Sequence, residues 1–167
     1  GNSTITFNNG SGNYGVKVGE LVTMASLTNM TITGTGSGEG SKGVIVGSED
    51  VDATGMVTMN MTNVGISGVE KGVLMNGAGT LTMTGVQISG VKMGVEATNG
   101  TLEIKGGTTI VFKNGDRNYG VKVQNGVTMA SLKSVTIRGE GAGGNGEGSK
   151  GVIVDRTKMI MEEVRIS

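Results

Sequence analysis

TITFNNGSGNYGVKV at residues 4–18 returns as TIVFKNGDRNYGVKV at residues 109–123, an offset of 105 (109 minus 4). VTMASL recurs with the same offset, at 22–27 and 127–132. GEGSKGVIV follows at 38–46 and 146–154 with offset 108, so three residues have entered a Gly-rich stretch in between. A long repeat that tolerates insertion only there reads as a stacked array with an expandable loop.

A shorter unit lies inside the long one. Gly-Val pairs begin at Gly15, Gly43, Gly72, Gly94, Gly120 and Gly151, at spacings of 28, 29, 22, 26 and 31. After each come two short alternating runs. The middle ones are VTM (22–24), VTM (57–59), LTM (81–83), LEI (102–104), VTM (127–129) and MIM (159–161). The third are MTIT (30–33), VGIS (64–67), VQIS (86–89), TTIVF (108–112), VTIR (135–138) and VRIS (164–167). Apolar residues alternating with polar ones mark half-buried strands. Helix is disfavoured, because an interior glycine costs about 1 kcal/mol and glycine interrupts nearly every window.

Strands this short pair with the same strand of the next turn, about 4.8 Å away. The expected fold is therefore all-β: a parallel, right-handed β-helix with three short strands per rung and about six rungs. Three inward ladders follow from register. The first is Val16, Val44, Val73, Val95, Val121 and Val152. The second is Met24, Met59, Met83, Ile104, Met129 and Met161, with methionine filling irregular gaps. The third is Ile32, Ile66, Ile88, Ile110, Ile137 and Ile166. The glycine before each valine marks a corner where a Cβ would clash or φ is positive.

Composition narrows the function. The 167 residues include 33 glycines and 11 methionines, with no Cys, His, Pro or Trp. The usual zinc, haem and iron–sulfur ligand sets are thereby excluded, and no cofactor is expected. Net charge is zero, with −3 over residues 1–100 and +3 over 101–167. Nucleic acid is a poor partner without a basic surplus or stacking aromatics. No run of 18 apolar residues could span a membrane as a helix.

The stretches of variable length are Gly34–Lys42, Gly68–Lys71, Gly90–Met93, Lys113–Tyr119 and Gly139–Lys150, all at one corner of each rung. Insertions in repeat proteins gather on the binding face, so this corner is the expected site. The residues just before the Gly-Val pairs, Tyr14, Lys42, Lys71, Met93, Tyr119 and Lys150, should stack in a row. With Glu39 and Glu147 of the longer loops they form a candidate surface for a partner protein or an acidic glycan. A solvated corner, with lysine stems lying over apolar edges, is the plainer alternative.

Catalysis finds little support. Glu49, Asp50 and Asp52 cluster in GSEDVDATG without a calcium-solenoid or EF-hand pattern. Glu20, Glu70, Glu96 and Glu103 show no paired spacing, and no His is present to act as a base near neutral pH. Gly141–Gly146 spells G-x-G-x-x-G but precedes no helix, and Gly40-Ser41-Lys42 inverts the phosphate-loop order.

LTMTGVQISGV (81–91), GTLEIKGGTTIVF (100–112) and NYGVKV (13–18 and 118–123) resemble passenger domains of bacterial autotransporters, most closely those of the bacterial angiogenic factor (BafA-like) type. The resemblance covers essentially the whole chain and rests on repeat style, not on a catalytic motif. It implies a secreted or surface-displayed, non-enzymatic protein, exported through a C-terminal outer-membrane β-barrel. It also implies binding of a host cell-surface receptor, in that group an endothelial growth-factor receptor; adhesin or structural stalk is the alternative, and a polysaccharide-cleaving β-helix enzyme a more distant one. Residues 1–167 are read as one segment with internal repeat 4–108 and 109–167. Residues 4–7 and 164–167 both look like third strands, so the segment is expected to belong to a longer solenoid.

Overall fold

Runs of four or five alternating residues bury too little surface to stand alone, so each must take its backbone partners from another pass of the chain. The computed structural model describes residues 2–37, 39–47, 55–141 and 148–167. Among them it has thirteen strands and no helix. The strands are β1 Ser3–Asn8, β2 Tyr14–Val18, β3 Met24–Thr35, β4 Lys42–Gly47, β5 Thr58–Ser67, β6 Lys71–Asn76 and β7 Thr80–Thr84. They continue as β8 Gln87–Val91, β9 Met93–Lys105, β10 Thr109–Lys113, β11 Tyr119–Glu140, β12 Lys150–Val154 and β13 Met159–Ile166. All belong to one parallel, solenoid-like sheet.

Pairing sorts the strands into three stacked series. The a-series is β2, β4, β6, residues 93–97 of β9, residues 119–123 of β11, and β12. The b-series runs through the first part of β3, β5, β7, residues 101–105 of β9, the middle of β11, and β13. The c-series is β1, the ends of β3 and β5, β8, β10, and the ends of β11 and β13.

Two of the expected ladders form as read. Val16, Val44, Val73, Val95, Val121 and Val152 are successive register partners, fully buried from Val44 to Val121. The isoleucine ladder runs from Ile32 to Ile166 and gains Ile5 at its start.

The methionine ladder is corrected. Met24 lies opposite Thr58 and is 67% exposed, Met129 lies opposite Thr101 at a register shift, and Met59 belongs to a different column from Met83. The b-series has two inward columns instead. One is Ala25, Met59, Leu81, Leu102, Ala130 and Met159; the other is Leu27, Met61, Met83, Ile104, Leu132 and Met161.

The reason is the bend between the b- and c-series. A single left-handed residue makes it: Asn29, Asn63, Gly85, Gly106 with Gly107, Ser134 and Glu163 all have positive φ. The two inward b-residues sit two and four positions before this residue, so register counts from the bend and not from the VTM spelling. Such a bend is short enough for β3, β5, β11 and β13 to run through it unbroken, where two separate strands were expected. A left-handed non-glycine residue costs about 1–2 kcal/mol, least for asparagine. Side-chain bonds along the column offset part of that cost: Asn63 Nδ2 donates to Asn29 Oδ1 at 3.3 Å, and the Ser134 hydroxyl bonds Glu163 at 2.6 Å.

The glycine before each valine is required by space, not by φ. A Cβ on Gly43 would lie 2.5 Å from Ile66 Cγ2 and 2.6 Å from the Gly72 carbonyl oxygen. On Gly72 it would lie 2.6 Å from the Gly94 oxygen and 2.9 Å from Ile88 Cγ2. Gly15, Gly94, Gly120 and Gly151 meet Ile32, Ile110, Ile137 and Ile166 in the same way. Each a-strand therefore touches the isoleucine of its c-strand through a bare α-carbon.

Gly72→Ala should lower the unfolding free energy by about 3 kcal/mol, since neither neighbour is a flexible side-chain tip. Gly65→Ala, whose new methyl meets nothing closer than 3.9 Å, should change it by less than about 0.5 kcal/mol. Denaturant titration of both variants checks the pair, and equal losses would remove the glycine–isoleucine contact from its closing role.

Candidate functional site

Among the described residues, the connections from the c-series to the next a-strand begin and end at one corner. The connections are residues 9–13, 36–41, 68–70, 92, 114–118 and 141–149. Their lengths differ because an outward loop has no register to keep. Residues 9–13 and 114–118, copies of each other, take the same shape. Asn13 Nδ2 donates to the Asn8 carbonyl and Asn118 Nδ2 to the Lys113 carbonyl, both at 2.8 Å. Gly12 and its counterpart Arg117 are both left-handed.

Between these loops lies an open groove of about 450 Å³, crossing several passes of the chain. Gly34, Gly36, Gly68 and Gly90 give bare backbone to its walls, and its polar side chains are Asn9, Ser37, Glu39, Glu70, Lys92 and Lys113. Glu39 and Lys92, 53 residues apart, pair across it at 2.8 Å. Lys92 lowers the carboxyl pKa of Glu39 through that bond and its charge, and Glu39 raises the ammonium pKa of Lys92. Glu70 accepts the Gly40 backbone N–H and so holds the longer loop on its neighbour. Asn9 Nδ2 donates to the carbonyls of Gly36 (3.2 Å) and Gly68 (2.7 Å). Asn9 Oδ1 is buried without a hydrogen-bond partner among the described residues, facing the position where Gly34 lacks a Cβ.

The row expected before the Gly-Val pairs forms in register. Tyr14, Lys42, Lys71, Met93, Tyr119 and Lys150 are successive partners. Its members differ in surroundings. Tyr14 is 43% exposed, whereas its copy Tyr119 is 4% exposed. Lys150 is exposed, Lys42 half-buried, and Lys71 turned inward onto Glu96. Glu39 borders the groove. Glu147, with the acidic cluster Glu49, Asp50 and Asp52, lies outside the described residues.

The residue that organises the row is one the sequence reading left unpaired. Glu96 accepts Lys71 Nζ at 2.5 Å, Gln124 Nε2 at 2.8 Å, and the Tyr119 hydroxyl. Burial by itself pushes the Glu96 carboxyl up. Lys71 beside it, bonds from Lys71 and Tyr119, and the charge of Lys122 outweigh burial, so its pKa lies below the ordinary value. Burial, and then the charge and bond of Glu96, push the Tyr119 hydroxyl up. Glu103 likewise has a cation, Lys105, at 2.8 Å. Lys105 lies two residues along the same strand as Glu103, whereas the partners of Glu96 come from neighbouring strands, which sequence spacing cannot reveal.

Chemically the corner offers ion pairs, amides and bare backbone. No three Asp, Glu, His or Cys residues gather to hold a metal among the described residues. Comparison of the chain with protein-family models, with curated proteins and with solved structures finds no match.

A carboxylate with a lowered native pKa stabilises the fold fully above its unfolded pKa, roughly 4.3, and loses that contribution as pH falls through the native value. Glu96→Gln should therefore cost about 3 kcal/mol at pH 7, by stranding Lys71. The gap between wild type and variant should begin to narrow as pH falls below roughly 4.3 and close only as pH passes below the lowered native value. Urea titrations between pH 7 and 3 check this; a gap independent of pH would assign Glu96 to packing alone.

Proposed function

We propose that the chain is a right-handed parallel β-helix of six three-stranded rungs, acting as a non-enzymatic binding rod of the autotransporter-passenger type. On this reading it works outside the bacterial cell, after export through a C-terminal outer-membrane β-barrel. Its partner is a host cell-surface receptor, as in the BafA-like angiogenic group that its repeats resemble.

One observation carries the proposal. Among the described residues the c-to-a connections collect at a single corner, where the Glu39–Lys92 pair joins non-adjacent passes around an open groove. A rod that had only to extend would gain nothing from loops of unequal length on one side. Partner-binding loops on a rigid scaffold take this form. The proposed contact surface is Glu39 and Glu147 of the long loops, with Tyr14, Lys42, Lys71, Tyr119 and Lys150 along their base. Lys71 contributes chiefly by holding Glu96 and Tyr119 in place.

The test is binding to endothelial growth-factor receptor ectodomains and to host-cell membranes. The loops between Thr35 and Lys42, and between Glu140 and Lys150, are shortened to minimal connections with the lysines kept. At least a tenfold loss of affinity is expected, equivalent to about 1.4 kcal/mol. Unchanged binding would remove the loops from the interface, and absent binding by the intact chain would favour a stalk. Turnover of acidic glycans abolished by D50N/D52N would move the protein into the enzyme class.

A further inference from the structure

Charge is unevenly distributed over this sheet. β1, β3, β5, β7 and β8 contain no Asp, Glu, Lys or Arg at all. The a-series carries Lys17, Lys42, Lys71, Lys122 and Lys150 against the single acid Glu96, a surplus of four positive charges in a chain of net charge zero. Glu96 is committed to Lys71. Lys17, Lys42, Lys122 and Lys150 form no ion pair among the described residues.

These four lysines fall into two matching stations. Lys17 lies 5.9 Å from the centre of the Tyr14 ring, with Lys42 on the adjoining strand. Lys122 lies 5.8 Å from the centre of the Tyr119 ring, with Lys150 on the adjoining strand. The stations are copies separated by four strand spacings, about 19 Å, and the whole row spans about 24 Å. Between them the strip is electrically quiet, with Met93 and the Lys71–Glu96 pair.

We propose that the outer face of the a-series, through Lys17, Lys42, Lys122 and Lys150 beside Tyr14 and Tyr119, binds a linear acidic glycan lying along the strand-stacking direction. Two pairs of ammonium groups about 19 Å apart suit a long chain that carries sulfate or carboxylate groups at intervals. The exposed Tyr14 ring gives the apolar face of a sugar ring a surface, whereas Tyr119 is buried and serves only to position Lys122. Nucleic acid fits less well: the strip has no arginine to fork onto phosphates and only two aromatic rings for stacking. An anionic bilayer fits less well too: of the aliphatic side chains in the column of Lys17 and Lys122, Ile45 and Leu74 are buried and Ile153 is half-buried, which leaves little to insert.

The experiment uses the full chain with immobilised heparin and chondroitin sulfate. Parallel arms use single-stranded DNA and phosphatidylserine vesicles. Wild type should bind the sulfated glycans at low salt, weakening steeply as salt rises. K17E/K42E and K122E/K150E should each weaken binding at least tenfold, and the four changes together more than a hundredfold. K105E/K133E, on the b-series, should stay within about twofold of wild type. Lysine-to-glutamine versions, checked for unchanged thermal midpoints, separate lost charge from lost folding. No glycan binding by wild type, equal loss in the K105E/K133E control, or equal or tighter binding of DNA or vesicles would each overturn the inference. Receptor-ectodomain binding that persists while glycan binding fails would overturn this inference alone and leave the loop-corner reading standing.

Discussion

Closure of the cross-section depends on the approach of an α-carbon to an isoleucine methyl group. Gly15, Gly43, Gly72, Gly94 and Gly120 each lie against the Cγ2 of the c-strand isoleucine and the carbonyl of the next glycine, and Gly151 lies against Ile166 Cγ2. A glycine in a strand costs about 0.5–1 kcal/mol of conformational freedom. Each isoleucine it admits to the interior stabilises by about 1.5–3 kcal/mol. The exchange is favourable at every pass, and it leaves no choice of residue at the glycine. The left-handed bend lies three residues before the isoleucine in most passes, so one contact also sets where the chain turns. Where Gly106 and Gly107 both adopt positive φ, one extra residue is absorbed at the bend and Ile110 still reaches its place.

This explains which parts of the fold were legible in sequence. The valine and isoleucine ladders could be read because each stands at a fixed distance from a glycine or a bend. The b-series could not be read from VTM, a string shared by Met24 and Met59 although only Met59 faces inward. Its true marker is a weaker pattern: apolar, any residue, the bend residue, apolar, any residue, isoleucine. LTNMTI at 27–32, MTNVGI at 61–66 and MTGVQI at 83–88 all fit it. Asn, Gly, Ser and Glu share the bend position, so composition hides what conformation requires there.

The site was legible to a different depth. The row from Tyr14 to Lys150 follows from register alone and was visible in the spacing of the Gly-Val pairs. The Lys71–Glu96 and Glu39–Lys92 pairs join residues 25 and 53 apart, and they exist only because separate passes lie side by side. In a stacked sheet the chemical neighbour is the residue on the next strand, about 4.8 Å away, however distant in sequence. A zero net charge is misleading for the same reason: the average over the chain conceals five charge-free strands, β1, β3, β5, β7 and β8, beside a cationic a-series.

Duplicating a sequence in such a stack duplicates positions, not environments. Tyr14 and Tyr119 have the same flanking residues and the same lysine over the ring. Tyr119 also has Met93 and Glu96 on the strand beside it; the hydroxyl is held, and the ring is almost wholly buried. Tyr14 has Lys42 on one side and no paired a-strand on the other among the described residues, and much of its ring is open to solvent. The 105-residue copy thus fixes how far apart two stations stand, while the neighbouring strand decides what each can do. A ligand that reads spacing meets two equal stations on this face. One that depends on an exposed tyrosine meets only Tyr14.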